Sequence, residues 1–348
     1  MENQSRYIIF GAGAIGIAVG GVMLNAGLPV TFVTRAVFAE ALDKGIRVRQ
    51  AGEEFIVRSQ AVTSADELTP ENNDVVIITT KSQATASVIE DIASVYDKAT
   101  PVICLQNGIR NEAIARERFD NVYAALVMMS AVQLQPDLIT MPRSRSLAIG
   151  CYPEGIDVTA RQIADDLNGA GLEVTASAYT MAMKWGKLIA NLNNATHTIT
   201  GYWLEQGMAD RDMRELTLAV REEGLRVLEA ARIEVEPPEG EPSPIRILKM
   251  TEALRLPPDP SIDPLALPES QRSYPSMWQD LRLGRKSNEA EFLNGEIIEL
   301  GRKFGVPTPY NSALLELVNK MFAEGQPPGI YTPAELHALI RSQWVNQL

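Results

Sequence analysis

Residues 185–201, WGKLIANLNNATHTITG, combine the length and apolar content of a buried helix with a lysine and three asparagines. On a helix, Lys187, Asn191 and Asn194 stand at i, i+4 and i+7 and project from one side. Burying an unpaired ammonium or amide is costly, so that side is either wet or meets a polar ligand. The residue types suit reduction of a carbonyl. Hydride addition leaves an alkoxide, to which Lys187 can give a proton or a nearby positive charge. Partial desolvation against Trp185 and Leu188 would make it a better acid. The plainer alternative is a lysine at a helix edge with its stem laid on apolar neighbours.

A hydride donor has its own signature near the N-terminus. Gly11-Ala12-Gly13-Ala14-Ile15-Gly16 fits GxGxxG directly after the strand-like YIIF and before the helical IGIAVGGVMLNAG. In that context Gly11 permits the tight turn, Gly13 lets a pyrophosphate approach the backbone and Gly16 packs helix on strand. The helix N-terminus adds amide donors and the positive end of a dipole. The second strand, VTFVT, ends in Thr34-Arg35 instead of the acid that would read a ribose hydroxyl. A guanidinium at that place can pair with a 2'-phosphate and stack on adenine, so NADPH is expected over NADH, unless Arg35 is merely solvated. Lys81 in TTKSQ and Asn107 in LQNG each follow an apolar strand. Lys81 is either a cation for phosphate or substrate charge or a solvated loop residue. Asn107 either bridges cofactor and substrate or takes the left-handed turn position before Gly108.

These residues need a sheet and a helical body to hold them. Up to about residue 180 the runs YIIFGAG, VTFVTR, DVVIITTK and TPVICLQNG alternate with helical stretches, the rhythm of βαβ units and a parallel sheet covered on both faces. Ligands of such sheets lie at the carboxyl ends of the strands. YAALVMMSAVQLQ, LITM and SLAIG are expected as further strands closing the sheet, some of them antiparallel. From residue 181 the apolar spacing is helical, in KWGKLIANLNNATHTIT, MRELTLAVREEGLRVLEAARI, EAEFLNGEIIELGRKFG and NSALLELVNKMFAEG. The expected organisation is α/β: a Rossmann dinucleotide-binding domain over 1–180 and an all-α domain over 181–348. Ten of the 21 prolines fall within 237–275, which reads as a long irregular excursion, a surface loop or lid.

The chain has 348 residues, comfortable for two domains, and a formal net charge of -12, the wrong sign for coating nucleic acid or an anionic membrane. Cys104 and Cys151 form no CxxC, and two histidines, His197 and His337, give no multi-histidine cluster, so neither a disulfide framework nor a metal site is expected. The N-terminus runs straight into a strand without an apolar leader, and no window has the ~18 apolar residues of a membrane span. A soluble cytoplasmic protein is the expectation.

The set GAGAIG with Arg35, TTKSQ, LQNG, KWGKLIAN, SMWQDLRLGRKSNEAEFLNGEI and GVPTPYNSAL, in this order, resembles the ketopantoate reductases nearly end to end. The resemblance implies a Rossmann domain plus a helical domain like the C-terminal domain of 6-phosphogluconate dehydrogenase, with the active site in the cleft between them. It implies NADPH-dependent reduction of a 2-oxo acid, foremost 2-dehydropantoate to pantoate, by a monomer or homodimer. The same architecture also serves other 2-oxo or 3-hydroxy acids and opine-like imines, and a non-catalytic sensor of NADPH is the rival from another class.

By the resemblance, Lys187 is the general acid, and Asn191 and Asn107 hold substrate. Ser276 meets the substrate carboxylate, Glu289 reaches the nicotinamide-side hydroxyls or the substrate, and Lys81, Asn107 and the backbone at Ala131 line the cofactor. The family asparagine eight residues after the lysine is Ala195 in this chain, and Asn194 is its expected substitute. Local chemistry offers plainer roles as well: Ser276 as the N-cap of its helix, and Glu289 as a first-turn acid. Asn288 with Glu291 makes a capping-box-like start for EAEFLNGEIIEL, which leaves Glu289 free to act.

Overall fold

The computed structural model describes residues 4–50, 53–129, 131–135, 137–141, 146–259, 263–269 and 272–345. Two compact units divide the chain, one of Met1–Lys184 with Pro237–Pro244, the other of Trp185–Glu236 with Ile245–Leu348. The first unit runs through β1 (Arg6–Phe10), α1 (Ala14–Asn25), β2 (Val30–Val33), α2 (Ala36–Lys44), β3 (Ile46–Gln50), β4 (Glu53–Val57), β5 (Ala61–Val62) and β6 (Asp74–Ile78). It continues with α3 (Thr85–Ala93), β7 (Val102–Cys104), α4 (Asn111–Arg116), β8 (Val122–Val127), β9 (Val132–Gln135), β10 (Leu138–Met141), β11 (Ser146–Cys151), α5 (Val158–Gly169) and β12 (Glu173–Ala176).

The main sheet has the order β12-β11-β8-β7-β6-β1-β2-β5. All its pairings are parallel except β8 with β11. Both faces are buried: Tyr7 and Ile9 enter one core, Ile8 and Phe10 the other, as the period of two along a strand requires. From β1 the chain builds outward through β2 and β5, then crosses to β6 on the other side. The strand order therefore reverses between β1 and β6, and that switch point is where such sheets bind ligands.

The expectation for the later strands is only partly met. β8 and β11 extend the main sheet, but β9 and β10, the AVQLQ and LITM segments, join β3 and β4 in a separate sheet of order β4-β3-β10-β9. The reason lies in α1, whose residues Gly16–Met23 are all buried. A Cβ on Gly20 would lie 2.5 Å from Phe32 of the main sheet, and one on Gly21 would lie 2.5 Å from Val57 of β4. Covered on both sides, α1 is apolar all round, without the polar stripe of a surface helix.

The second unit is helical. α6 (Thr180–Asn191) straddles the division between Lys184 and Trp185, and is followed by α7 (Asn193–Thr200), α8 (Leu204–Ala209), α9 (Arg211–Ala230), α10 (Ile247–Glu252), α11 (Ser276–Arg282), α12 (Asn294–Phe304), α13 (Pro309–Glu324) and α14 (Pro333–Ile340). Asp210 starts α9 by accepting from the Met213 amide at 2.8 Å.

The proline-rich stretch is less irregular than expected. It contains α10 and a 3-10 turn, Ala253–Arg255, with Ile247, Thr251 and Leu254 buried. Arg214 of α9 clips this piece down by donating to the carbonyls of Ala253 and Leu256, both at 2.6 Å. Residues 260–262 and 270–271 of the stretch lie outside the described residues. Among the described residues no helix is long and apolar enough to cross a membrane, and no cluster of His, Cys, Asp and Glu could hold a metal.

Candidate functional site

The glycine turn is built against β6. Gly11 has φ 109°, a left-handed conformation that glycine adopts without strain. Its carbonyl accepts from Thr79 Oγ1 at 2.7 Å, and a Cβ on Gly16 would lie 2.0 Å from that same carbonyl oxygen and 2.6 Å from Thr79 Oγ1. Gly16 is thus demanded by the protein's own packing. Gly13 is not: its φ is -80°, and a Cβ there would meet no atom within 4 Å. What glycine preserves at 13 is open space beside the amides that begin α1.

No side chain caps α1 and no acid stands in its first turn, so the amides of Ala14, Ile15 and Gly16 keep their donors for an anion. Ala12 packs into the core, its amide 3.4 Å from Thr34 Oγ1. A dinucleotide pyrophosphate fits this donor set and this space.

At the end of β2, Arg35 is exposed, extended at φ -63° and ψ 148°, and its guanidinium lies 5.1 Å from the centre of the Phe38 ring. Register keeps the next strand ends level, with Phe10 opposite Ile78 and Ile78 opposite Cys104. Lys81 and Asn107 each lie three residues beyond, both half-buried. Ser82 Oγ and Asn111 Nδ2 both donate to the Asn107 carbonyl, at 3.0 and 2.8 Å, which joins the two loops. Gln106 Nε2 donates to the Thr80 carbonyl and to Thr85 Oγ1, and Thr85 in turn donates to Asn111 Oδ1. The left-handed alternative for Asn107 fails, because Arg232 is the one described non-glycine residue at positive φ and Gly108 itself takes φ 81°. Ala131, half-buried just before β9, packs against the core of the first unit.

Beneath these loops lies an ion pair that sequence reasoning missed. Lys184, 4% exposed, bonds to Glu112, 0% exposed, and donates to the Gln106 carbonyl at 3.2 Å. The second oxygen of Glu112 meets no donor, and burial, reinforced by that carboxylate, pushes the Cys104 thiol well above its ordinary pKa. Lys184 reads in sequence as one more helix-edge lysine beside Lys187. Nothing local pairs it with a glutamate 72 residues away.

In the second unit the expected single helix is two, α6 and α7, interrupted at Leu192. From Leu188 to Thr200 every residue is buried except Ala190, Asn191 and Asn194, which with Lys187 form one half-buried stripe. Asn194 lies on the stripe and Ala195, at 0% exposed, lies in the core. Ser276 is exposed and is the first residue of α11, whose N-cap is Pro275, so the capping reading of Ser276 is corrected. The capping box of Asn288 and Glu291 is corrected too. Asn288 Oδ1 accepts from the Ala290 amide at 2.8 Å, but the turn it starts is a 3-10 turn, Ala290–Phe292, and α12 begins only at Asn294 after Leu293 at ψ -85°. Glu289 is therefore not a first-turn residue of α12. It is 9% exposed and stands at the head of the 3-10 turn.

His197 of α7 carries a pH dependence. Burial holds its pKa down to about 4, with the Arg221 charge adding to the effect, while Nδ1 lies 3.0 Å from the Tyr202 carbonyl. A folded pKa below the unfolded value of about 6.5 means that the unfolded chain binds a proton the native chain refuses. Stability is then full above that value and is lost as pH falls through it toward 4, by about 3 kcal/mol in all. Denaturant titrations at pH 7 and 4.5 check this: the drop should shrink in His197→Gln, and an equal drop in both proteins would remove His197 from the account.

Residues 7–154 match the model of the family "Ketopantoate reductase PanE/ApbA", and residues 180–322 match its C-terminal counterpart. The 2-dehydropantoate 2-reductase of Pyrococcus horikoshii is 28% identical over 316 residues, which are 90% of this chain and 96% of that one. A PanE/ApbA family ketopantoate reductase from Ralstonia eutropha JMP134 superposes with a TM-score of 0.76 at 25% identity, over 92% of this chain and 99% of that one. D-mandelate dehydrogenase, in a ternary structure with NADH and anilino(oxo)acetate, shares the fold with a TM-score of 0.78 at 24% identity, over 92% and 99%. The chain belongs to the ketopantoate reductase family.

Proposed function

We propose that this member of the ketopantoate reductase family reduces a 2-oxo acid to the 2-hydroxy acid with NADPH, 2-dehydropantoate to pantoate being the leading reaction. The observation that carries the reading is the stripe of Lys187, Asn191 and Asn194, kept half-exposed on a helix pair that is otherwise core. An ammonium and two amides at this spacing suit recognition of a carbonyl and a carboxylate.

The bound cofactor supplies the hydride. The chain does the rest. The amides at the start of α1 hold the pyrophosphate, and Arg35 pairs with the 2'-phosphate. Lys81, Asn107 and the backbone at Ala131 line the cofactor. Asn107, Asn191 and Asn194 orient the 2-oxo acid through its oxygens, and the Ser276 hydroxyl donates to its carboxylate. Lys187 gives its proton to the carbonyl oxygen as that oxygen gains charge, and Glu289 accepts from hydroxyls of the cofactor or substrate.

A second reading, a bulkier or aryl 2-oxo acid, is favoured by the aromatic group flanking Ser276. Tyr274 stacks on Trp278 at 3.9 Å, Trp203 meets Tyr274 edge-on at 6.4 Å, and Arg272 lies 4.3 Å from the centre of the Trp203 ring.

The test is a panel of 2-oxo acids, 2-dehydropantoate and phenylglyoxylate among them, with loss of NADPH or NADH followed optically. Turnover with NADPH and a branched acid supports the first reading, and preference for the aryl acid supports the second. NADPH binding without reduction of any acid would favour a sensor. In the same assay Arg35→Asp should lower the NADPH-to-NADH ratio of kcat/KM by about 10- to 100-fold, the worth of a charge-assisted bond replaced by repulsion. An unchanged ratio would mean that Arg35 does not meet the phosphate.

A further inference from the structure

Two polar side chains buried inside the helical unit converge on the interruption between α6 and α7. The first is Asn294, 0% exposed at the start of α12, whose Nδ2 donates to the Leu192 carbonyl at 3.2 Å and to Asn311 Oδ1 at 2.9 Å. Asn311 is itself 0% exposed and is held by Glu223 of α9, which accepts from its side-chain and backbone nitrogens at 2.7 and 2.8 Å and from the Tyr310 amide at 2.9 Å. A chain of bonds thus runs from α9 through the first turn of α13 to Leu192.

The second is Arg221, 8% exposed, for which burial lowers the pKa to about 10 with no carboxylate offsetting it. Its partner is Asn193. With the amide oxygen of Asn193 turned toward the guanidinium, it accepts from Nε at 3.0 Å and from Nη2 at 3.1 Å.

Neither feature is explained by stability. A guanidinium buried against a neutral amide loses most of its hydration for two hydrogen bonds, and apolar side chains of the same volume would fill both places at lower cost. What the pair does hold is the backbone at 192 and the side chain at 193, the two residues that separate Asn191 from Asn194. At that break the dihedrals of Leu192 stay helical but the hydrogen-bond ladder is interrupted, so the ladder alone no longer holds the two asparagines in their relation.

We propose that Arg221 and Asn294 are positioning residues: by gripping Asn193 and Leu192 from within, they set the angle at which Asn191 and Asn194 stand on the stripe with Lys187. This inference rests on the reading of that stripe as the substrate-binding face.

The test compares Asn294→Leu, Asn193→Leu and Asn193→Asp with the wild type, after melting midpoints have fixed a temperature at which all are folded. Expected is a fall of at least about tenfold in kcat/KM for both leucine variants, with the dissociation constant for NADPH unchanged, the size of effect that misplacing a reactant produces. Asn193→Asp should keep wild-type turnover and raise the midpoint, since it gives the guanidinium a counter-charge. Leucine variants that melt lower but turn over like the wild type would reduce Arg221 and Asn294 to packing and overturn the proposal. A wild type that reduces no 2-oxo acid would sink the functional reading instead. The positioning would then be judged from crystal structures of the leucine variants, where movement of the Asn191 and Asn194 side chains by about 1 Å or more supports it and unchanged positions overturn it.

Discussion

Replacing Lys187 with alanine should cut turnover of the 2-oxo acid by roughly two to four orders of magnitude while leaving NADPH affinity unchanged. The split reflects where the groups lie. The groups assigned to the dinucleotide's phosphates and to the lining at Lys81, Asn107 and Ala131 belong to the start of α1 and the loops after β2, β6, β7 and β8, and Lys187 is on none of them. A second substitution separates the two things an ammonium can do. Lys187→Arg keeps the positive charge but cannot release a proton near neutral pH. If proton donation is the role, the arginine protein should be nearly as slow as the alanine protein, and the pH dependence of kcat should lose its basic limb. Single-turnover reduction with each variant reads this directly. An alanine variant with near-wild-type turnover would remove Lys187 from the chemistry.

The glycine turn offers the second large effect, as a contrast between neighbours. In Gly16→Ala the new methyl would lie 2.0 Å from the Gly11 carbonyl oxygen and 2.6 Å from Thr79 Oγ1, so the backbone of the turn would have to shift. The protein should lose about 3 kcal/mol or more of stability, beyond the usual cost of one surplus methyl group in a core, and should be recovered largely as unfolded material. In Gly13→Ala the methyl meets no protein atom, so the melting midpoint should stay within about 1 °C of the wild type on the scale set by a surface substitution. Dinucleotide affinity should nevertheless fall by about tenfold or more, because the methyl fills the space through which the pyrophosphate reaches the amides. Calorimetry for stability and fluorescence titration for affinity check both halves. A Gly13→Ala protein that binds as tightly as the wild type would show that the ligand lies elsewhere.

GxGxxG between a strand and a helix is legible in the sequence because Gly11 answers a left-handed turn and Gly16 a close backbone approach. The stripe of Lys187, Asn191 and Asn194 is legible because their i, i+4 and i+7 spacing survives the interruption at Leu192, whose dihedrals stay helical. The break at Leu192 is not, since its dihedrals, φ -53° and ψ -29°, remain helical and the interruption shows only in the hydrogen-bond ladder and in the distant Asn294. The second sheet escaped for a related reason. AVQLQ and LITM carry strand propensity, but which sheet a strand joins depends on a surface to cover, and that surface is α1, more than a hundred residues earlier. The Lys184–Glu112 and Arg221–Asn193 pairs likewise join residues far apart in the chain. Helix starts misled in a smaller way: Asn288 does bind an amide two residues on, but Leu293 halts the turn before a helix can grow from it.

The enclosure of α1 bears on how a cofactor is received. A helix with water along one side can tilt, slide or fray by exchanging protein contacts for solvent. α1 has no such side, and moving it would part both sheets at once. Its leading amides are therefore aimed before any phosphate arrives, and little ordering entropy is left to be lost on binding. On the proposed reading, adaptation to one nucleotide or another would come from the rim, at positions such as Arg35, while the amides at the start of α1 stay as fixed as the interior that encases the helix.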